Sequence, residues 1–471
     1  MEDHSELRQA VLAWLRQARD LPSIPQAITD VALATRPEWE DLSNAVAYTV
    51  SLGADRRELF ARIDGDWQPS YWVVLGRSGL GDATRLIAQG ASVPEAEVAD
   101  SFVAFCTAPA PVTEEWLLLD GDFPEDTRIP LGRHTLQTFT PDELRQLSPI
   151  PSIHDRRPGT VELRLLTGAP FIYVPAPDRT LTRSMYEPVH GPRPEAGHWR
   201  SLLPLILWCP EPLRVEAAFD VERGRRFGLN PSDVPSRTRI VADEYGMDAM
   251  VDVRATGTYG VTAEDLPGLD AFCATITAKV DAVMAGADSG RRLPRKRARR
   301  LERAARHLLR AYQRTFSGDW VWEEDADEVH LDYVIALEAL MASPDGTHDG
   351  ISKTIHTRAS ALFLTPDHRE QAKTVVQKAY SARSTYVHGD LITERGALEK
   401  LRTLRELRLI TRQVILRWLV ITPVGTDDLG PLLDDAAAGT GREDLVDKPF
   451  RAFLAGSPPH DLPEDALPAG E

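Results

Sequence analysis

At residue 291 the sequence changes its periodicity, and that change limits the fold more than any other feature of the chain. From 115 to 275 short apolar runs, EEWLLLDGD, TVELRLLTG, PFIYVPAP and PLRVEAAF among them, alternate with turn residues in the manner of strands. From 291 to 420 apolar residues recur at helical spacing almost without a strand-like run. Helices are expected over about 294–316, 328–342, 350–364, 366–388 and 393–420. In the second, Tyr333, Leu337, Leu340 and Met341 stand at i, i+4, i+7 and i+8, one stripe to bury. Pro294 suits the first turn of the first helix, and the short connections suit an up-and-down bundle.

A chain of 471 residues exceeds what one core usually supports. The expectation is an α+β multidomain protein: a mixed α/β region over 1–290 that senses or regulates, with a possible break near 110; an all-α bundle over 291–423; and an acidic tail over 424–471. The opening MEDHSELRQAVLAWLRQARDL reads as a helix and lacks the basic start and apolar block of a secretory signal. The tail has few large apolar groups and is expected to be mobile, apart from a docking segment around Leu445 to Leu454. Cys106, Cys209 and Cys273 are widely spaced, so neither a disulfide framework nor a zinc site is expected, and a reducing cytoplasm is the simplest home. No apolar stretch approaches the ~20 residues of a membrane span, so no membrane association is expected. No phosphate-binding glycine loop and no GxSxG elbow is present.

The net charge of −17 argues against nucleic-acid binding by the whole protein, but the charge is unevenly spread. Residues 1–290 carry −16, residues 291–423 carry +7 and residues 424–471 carry −8. The run RRLPRKRARRLERAARHLLRAYQR (291–314) holds eleven basic residues and one acid, Glu302. Such a run attracts phosphates, or forms a solvated helix face balanced by the acids behind it, Asp319 to Glu328. Arg295, Lys296, Arg299, Arg300 and Arg303 are its candidate RNA-binding residues.

In the fourth expected helix, AYSARSTYVHGD (379–390) places Arg383 five positions before His388. A guanidinium neutralises a phosphate, and an imidazole moves protons near neutral pH, which together suffice to cleave RNA without a metal. The spacing alone is uninformative. Arg128/His134, Arg183/His190, Arg193/His198 and Arg300/His307 share it within one residue or two, and without context such a pair is more often a surface or capping feature.

Context separates the last pair. LDYVIALEALMA (331–342) carries Glu338 in an aLEaL pattern; a polar loop, ISKTIHTRASALFL (351–364) and the turn from Asp367 to Glu370 follow; then comes VVQKAYSARSTYVHGD. In this order and at these separations the stretch resembles the Apea-like group of HEPN domains, over residues 291–420, a little over a quarter of the chain. The resemblance implies a helical bundle that pairs with a second copy through its motif-bearing face, and a metal-independent endoribonuclease needing no cofactor. Arg383 and His388 would then be the catalytic pair, contributed by two protomers to one cleft. Ser384 follows the arginine, as is usual in the Apea-like group, where strongly toxic HEPN members carry Asn, Asp or His.

The local pattern fits that role. Val376, Tyr380, Arg383 and Val387 share a helix face, and Gly389 provides a C-cap that sets His388 in the last turn, where the helix dipole favours the imidazolium of a general acid. Glu338 either orients Arg383 across the bundle or forms a structural ion pair with it, and Tyr386 either stacks on a base or packs the dimer face. Asp332 is read as a dipole or solvation feature, His307 and His330 as helix-surface residues, and His356 as a residue that can approach the cleft. The function implied is an RNA-cleaving antiphage or abortive-infection effector, a cytoplasmic homodimer restrained by an N-terminal half that binds an unknown trigger. The alternative is a non-catalytic HEPN module that dimerises and binds RNA or a nucleotide.

Overall fold

The computed structural model describes residues 4–21, 30–50, 59–63, 66–107, 113–146, 168–173, 198–222, 226–229, 240–242, 249–251, 259–315, 325–342, 351–387, 394–422 and 428–460, together with Ile150, Ser152 and Val321. The protein is mixed α/β, with small sheets in its first part and a helical C-terminal half.

The chain begins with helices α1 (Ser5–Gln17) and α2 (Pro37–Val50), a hairpin of β1 (Phe60–Ile63) and β2 (Asp66–Pro69), and helices α3 (Leu80–Ala88) and α4 (Glu95–Thr107). Leu7, Val11, Trp14 and Leu15 line one face of α1 at i, i+4, i+7 and i+8, and this stripe packs on α2 and α4. The Trp14 indole donates to Thr84 Oγ1 on α3 at 2.8 Å, which satisfies the one polar atom that α1 buries there. Burial from Leu7 to Cys106, with Ile150, forms a core of its own.

A six-stranded antiparallel sheet follows, built from β3 (Thr113–Leu119), β4 (Arg128–Leu131), β5 (His134–Thr138), β6 (Pro170–Tyr173), β7 (Val215–Glu222) and β8 (Arg226–Leu229) in the order β4-β5-β6-β3-β7-β8. Three of the expected strand runs lie in β3, β6 and β7, whereas TVELRLLTG lies almost wholly outside the described residues. The unbroken Trp116–Leu119 run is buried on both sheet faces. On one face Trp116 stacks on Phe139 at 4.3 Å and meets Phe171 at 5.5 Å. On the other, Leu117, Ile129, Leu136 and Ile172 join a core with helices α5 (Trp199–Trp208) and α6 (Leu266–Met284).

The helical half contains α7 (Arg292–Gln313), α8 (Ala326–Met341), α9 (Ile351–Ala361), α10 (Pro366–Val387) and α11 (Glu394–Ile421), each within a few residues of its expected bounds. Its core is continuous with that of the sheet. One set of buried apolar residues runs from Leu117 through α5, α6 and the five helices to Leu454, crossing both 290/291 and 423/424 without a gap. Arg412 of α11 shows how the parts are joined: fully buried, it donates to the carbonyls of Ile206, Leu207 and Trp208 at 3.0, 2.7 and 2.8 Å. With Tyr259 Oη donating to Leu205 O at 2.8 Å, the last turn of α5 is capped by side chains from elsewhere in the chain.

Over Asp428–His460 the acidic tail is largely helical and packed, in agreement with the expected docking segment around Leu445 to Leu454 and against expectation before it. It forms helices α12 (Leu429–Ala437) and α13 (Lys448–Gly456), with Leu429, Leu433, Val446, Phe450, Phe453 and Leu454 buried. The apolar residues are few, but they share helical faces, and polar contacts complete the docking. Arg358 of α9 grips Asp434 through two bonds of 2.7 and 2.6 Å and donates to Met341 O at 2.8 Å. Residues 461–471 lie outside the described residues. Among the described residues no helix is long and apolar enough to cross a membrane.

Candidate functional site

Two polar clusters flank α8, one on the side of α10 and one on the side of α7. On the α10 side, Glu338 receives hydrogen bonds from both Arg383 and Tyr380 at the same carboxylate oxygen, Oε1. The guanidinium also donates to Tyr380 Oη at 3.0 Å and lies 5.5 Å from the centroid of that ring. Helical spacing accounts for the arrangement: Tyr380 and Arg383 are three residues apart on one face of α10, and Glu338 is the charged member of the α8 stripe that faces them. Arg383 keeps 29% of its side chain exposed and Glu338 17%, so the ion pair sits at a surface edge of the bundle. Burial, and after it the neighbouring carboxylate, pushes the Tyr380 hydroxyl far above its ordinary value, so it remains a donor.

Ser384 and Tyr386 fall in the last turn and a half of α10, but their side chains are outside the described residues, as is the whole of His388. The structure therefore brings together Arg383 and Glu338 of the expected site and adds Tyr380 to them.

On the α7 side the structure departs from the sequence reading. Asp332 is buried within α8, at the seventh residue of the helix instead of its first turn, and each of its oxygens is used. Oδ1 accepts from His307 Nδ1 at 2.7 Å and Oδ2 accepts from Arg314 at 2.8 Å, with Arg314 also bound to Glu328 at 2.6 Å. His307 is thus a half-buried partner of a buried carboxylate and not a simple surface residue. His330 is buried as well: its Nε2 donates to Ala379 O at 2.9 Å, and burial holds its basicity below the usual imidazole value. His356 of α9 is almost as buried, and burial, aided by Lys373 and Lys353, lowers its basicity too.

The basic helix separates into two sets. Arg295, Arg299 and Arg303 are exposed on one face of α7 with Arg292 and Arg310, a row about 27 Å long at 1.5 Å per residue. Arg295, Arg299 and Arg303 have no ion-pair partner among the described residues. Lys296 and Arg300 turn instead toward Asp428 at the head of α12, at 3.9 and 4.0 Å, and Arg300 donates to Ala342 O at 2.8 Å beyond the end of α8. These two cations are engaged in holding the tail and a helix end, which leaves the other three to meet an external anion.

Comparison with known proteins adds no relative. No family model, no curated protein and no solved structure matches the chain. Sequence reasoning missed the His307–Asp332–Arg314 cluster because its members lie on two helices and each, taken singly, resembles a solvated charge. The one local signal was Asp332 itself, an acid with Tyr333 and Val334 directly behind it in a helix that is otherwise apolar on that side.

Proposed function

We propose that the chain is a metal-independent endoribonuclease of the HEPN type whose catalytic groups are Arg383 and His388. The observation that carries the reading is the Arg383–Glu338–Tyr380 cluster at the end of α10: a guanidinium held in a fixed place, part exposed, five residues before a histidine. In this reading Glu338 orients the guanidinium, which keeps donors for a phosphate, and His388 moves the proton. Ser384 and Tyr386 support the pair. The exposed row of α7 binds the RNA backbone.

The attacking group is the 2′-hydroxyl and the product a 2′,3′-cyclic phosphate. Two copies pair through the α10 face and share one cleft, the N-terminal half restrains the bundle until a trigger is bound, and the role is that of a cytoplasmic antiphage or abortive-infection effector. A second reading has its own support, since a guanidinium already tied to Glu338 and Tyr380 also suits a structural knot. The bundle is then a non-catalytic module that dimerises and binds RNA or a nucleotide.

His388→Ala separates the two. For the nuclease, RNA cleavage by the full-length chain falls about 10²- to 10⁴-fold while RNA affinity is largely kept. For the binding module, the wild-type chain binds RNA and cuts none, and His388→Ala changes nothing in the RNA fragments recovered.

A further inference from the structure

The α7 flank of α8 holds an imidazole paired with a buried carboxylate. We propose that His307 is a general base that acts on a ribose 2′-hydroxyl of RNA bound along the arginine row of α7. The inference rests on the reading above for its substrate, RNA, but not on Arg383 or His388 for its chemistry.

Geometry comes first. Asp332 is clamped from both sides, by His307 Nδ1 at 2.7 Å and by Arg314 at 2.8 Å, so its position is fixed. A carboxylate bound to Nδ1 selects the tautomer that carries its proton there and leaves Nε2 as the nitrogen able to accept one. The imidazole side chain is 17% exposed, enough to be reached and too little to rotate freely. The carboxylate held at Nδ1 also stands beside the ring on which positive charge develops when Nε2 takes a proton.

Position supplies the substrate. On α7, His307 follows Arg303 by four residues and precedes Arg310 by three, so both exposed guanidiniums lie about one turn away on the same face. A phosphodiester backbone neutralised along that face brings its riboses past the imidazole. Among the described residues, the charged groups nearest His307 by helical spacing or through its bonded partners are Arg303 and Arg310 from α7, Arg314 just past its end, and Glu328 and Asp332 from α8. His330, by contrast, spends Nε2 on the Ala379 carbonyl and belongs to the α10 side.

Asp332 and Glu338 are six residues apart on α8, about 9 Å along the axis and well over a right angle around it, so the His307 centre and the Arg383 cluster occupy different flanks. In the step itself Nε2 takes the 2′-hydroxyl proton, O2′ forms a bond to phosphorus and the P–O5′ bond breaks, giving a 2′,3′-cyclic phosphate. The leaving O5′ takes a proton from water, and the hydroxide so formed takes the proton from the imidazolium, so the protons balance overall.

The test uses the full-length chain and a single-stranded RNA oligonucleotide. His307→Gln retains an N–H donor for Asp332, so a merely structural histidine is replaced at little loss. The expected result is that His307→Gln keeps its thermal midpoint and RNA affinity, and that adding it to His388→Ala slows the remaining cleavage about a hundredfold further. Added imidazole partly restores cleavage by His307→Ala, and Asp332→Asn, which no longer fixes the Nδ1–H tautomer, slows cleavage without lowering RNA affinity. Remaining cleavage by His388→Ala that His307→Gln leaves unchanged overturns the inference.

Arg383→Ala and His388→Ala assayed beside it keep the two readings apart. If those two cleave normally and His307→Gln does not, the Arg383/His388 assignment fails and this one stands. If His388→Ala is inactive and His307→Gln is normal, only this one fails. A wild-type chain that cuts no RNA overturns both.

Discussion

At the scale of single residues, the polar contacts of α8 determine what the helical half can do chemically. Glu338 satisfies Arg383 and Tyr380 at once, so Glu338→Ala strips two donors of their acceptor and leaves the guanidinium facing a half-buried surface. The expected cost is about 1–3 kcal/mol, measured by urea unfolding; Glu338→Gln, which keeps an acceptor oxygen, loses less. His330 sets a pH dependence. Its imidazole is less basic than the free value of 6.5 because it is buried, although its bond to Ala379 O works the other way. The unfolded chain therefore takes up that proton first as the pH falls, and the stability His330 contributes, complete above 6.5, is lost progressively below it. His356 acts in the same direction, so His330→Gln combined with His356→Gln should flatten the fall in thermal midpoint between pH 6.5 and 5. Glu338 was legible in the sequence because a charge amid Leu337, Ala339 and Leu340 needs a partner, and Arg383 shares a helix face with Val376, Tyr380 and Val387. Asp332 was not, because its partner His307 lies 25 residues upstream on a helix whose polar face reads as solvated.

At the scale of elements, periodicity located the five long helices of the C-terminal half, since a buried stripe repeats in sequence whatever packs against it. The docked tail was legible only around Leu445 to Leu454, and α12 was hidden for the opposite reason. The averaged composition of the tail is polar, while the information lies in three positions, Leu429, Leu433 and Ala436, at i, i+4 and i+7. Its docking also depends on side chains far upstream. Arg417 lies between the rings of Phe363 and Phe450 at 4.8 and 4.0 Å, and Arg442 donates to Ala361 O at 2.8 Å. Close approach matters too: a Cβ at Gly430 would come within 3.0 Å of the Arg358 guanidinium. Arg358→Ala should release α12 and raise hydrogen exchange over 429–437, with little change in α1–α4. Arg412→Leu should be more damaging, about 3 kcal/mol or more by urea unfolding, because it leaves three carbonyls at the buried end of α5 without a donor.

At the scale of the whole molecule, two apolar cores and an exposed cationic row stand out among the described residues. The core of α1–α4 is separate from the one that joins the sheet to the helices and the tail, so denaturant unfolding should show two steps, the smaller one reported by Trp14 and Trp39. The excess negative charge of the chain was legible at once, but only the structure separates the arginines that face outward from the two cations held by Asp428. Replacing Arg295, Arg299 and Arg303 together by Ala should weaken RNA binding and reduce the salt dependence of the logarithm of affinity by roughly three, about one for each phosphate no longer neutralised. Underlying both catalytic proposals is the requirement that RNA be cut by side chains alone. Incubating the purified full-length chain with end-labelled RNA in excess EDTA and identifying the new termini tests this most directly. Fragments ending in 2′,3′-cyclic phosphate and beginning with 5′-hydroxyl are the expected result; intact RNA, or fragments with 5′-phosphate and 3′-hydroxyl ends, would contradict it.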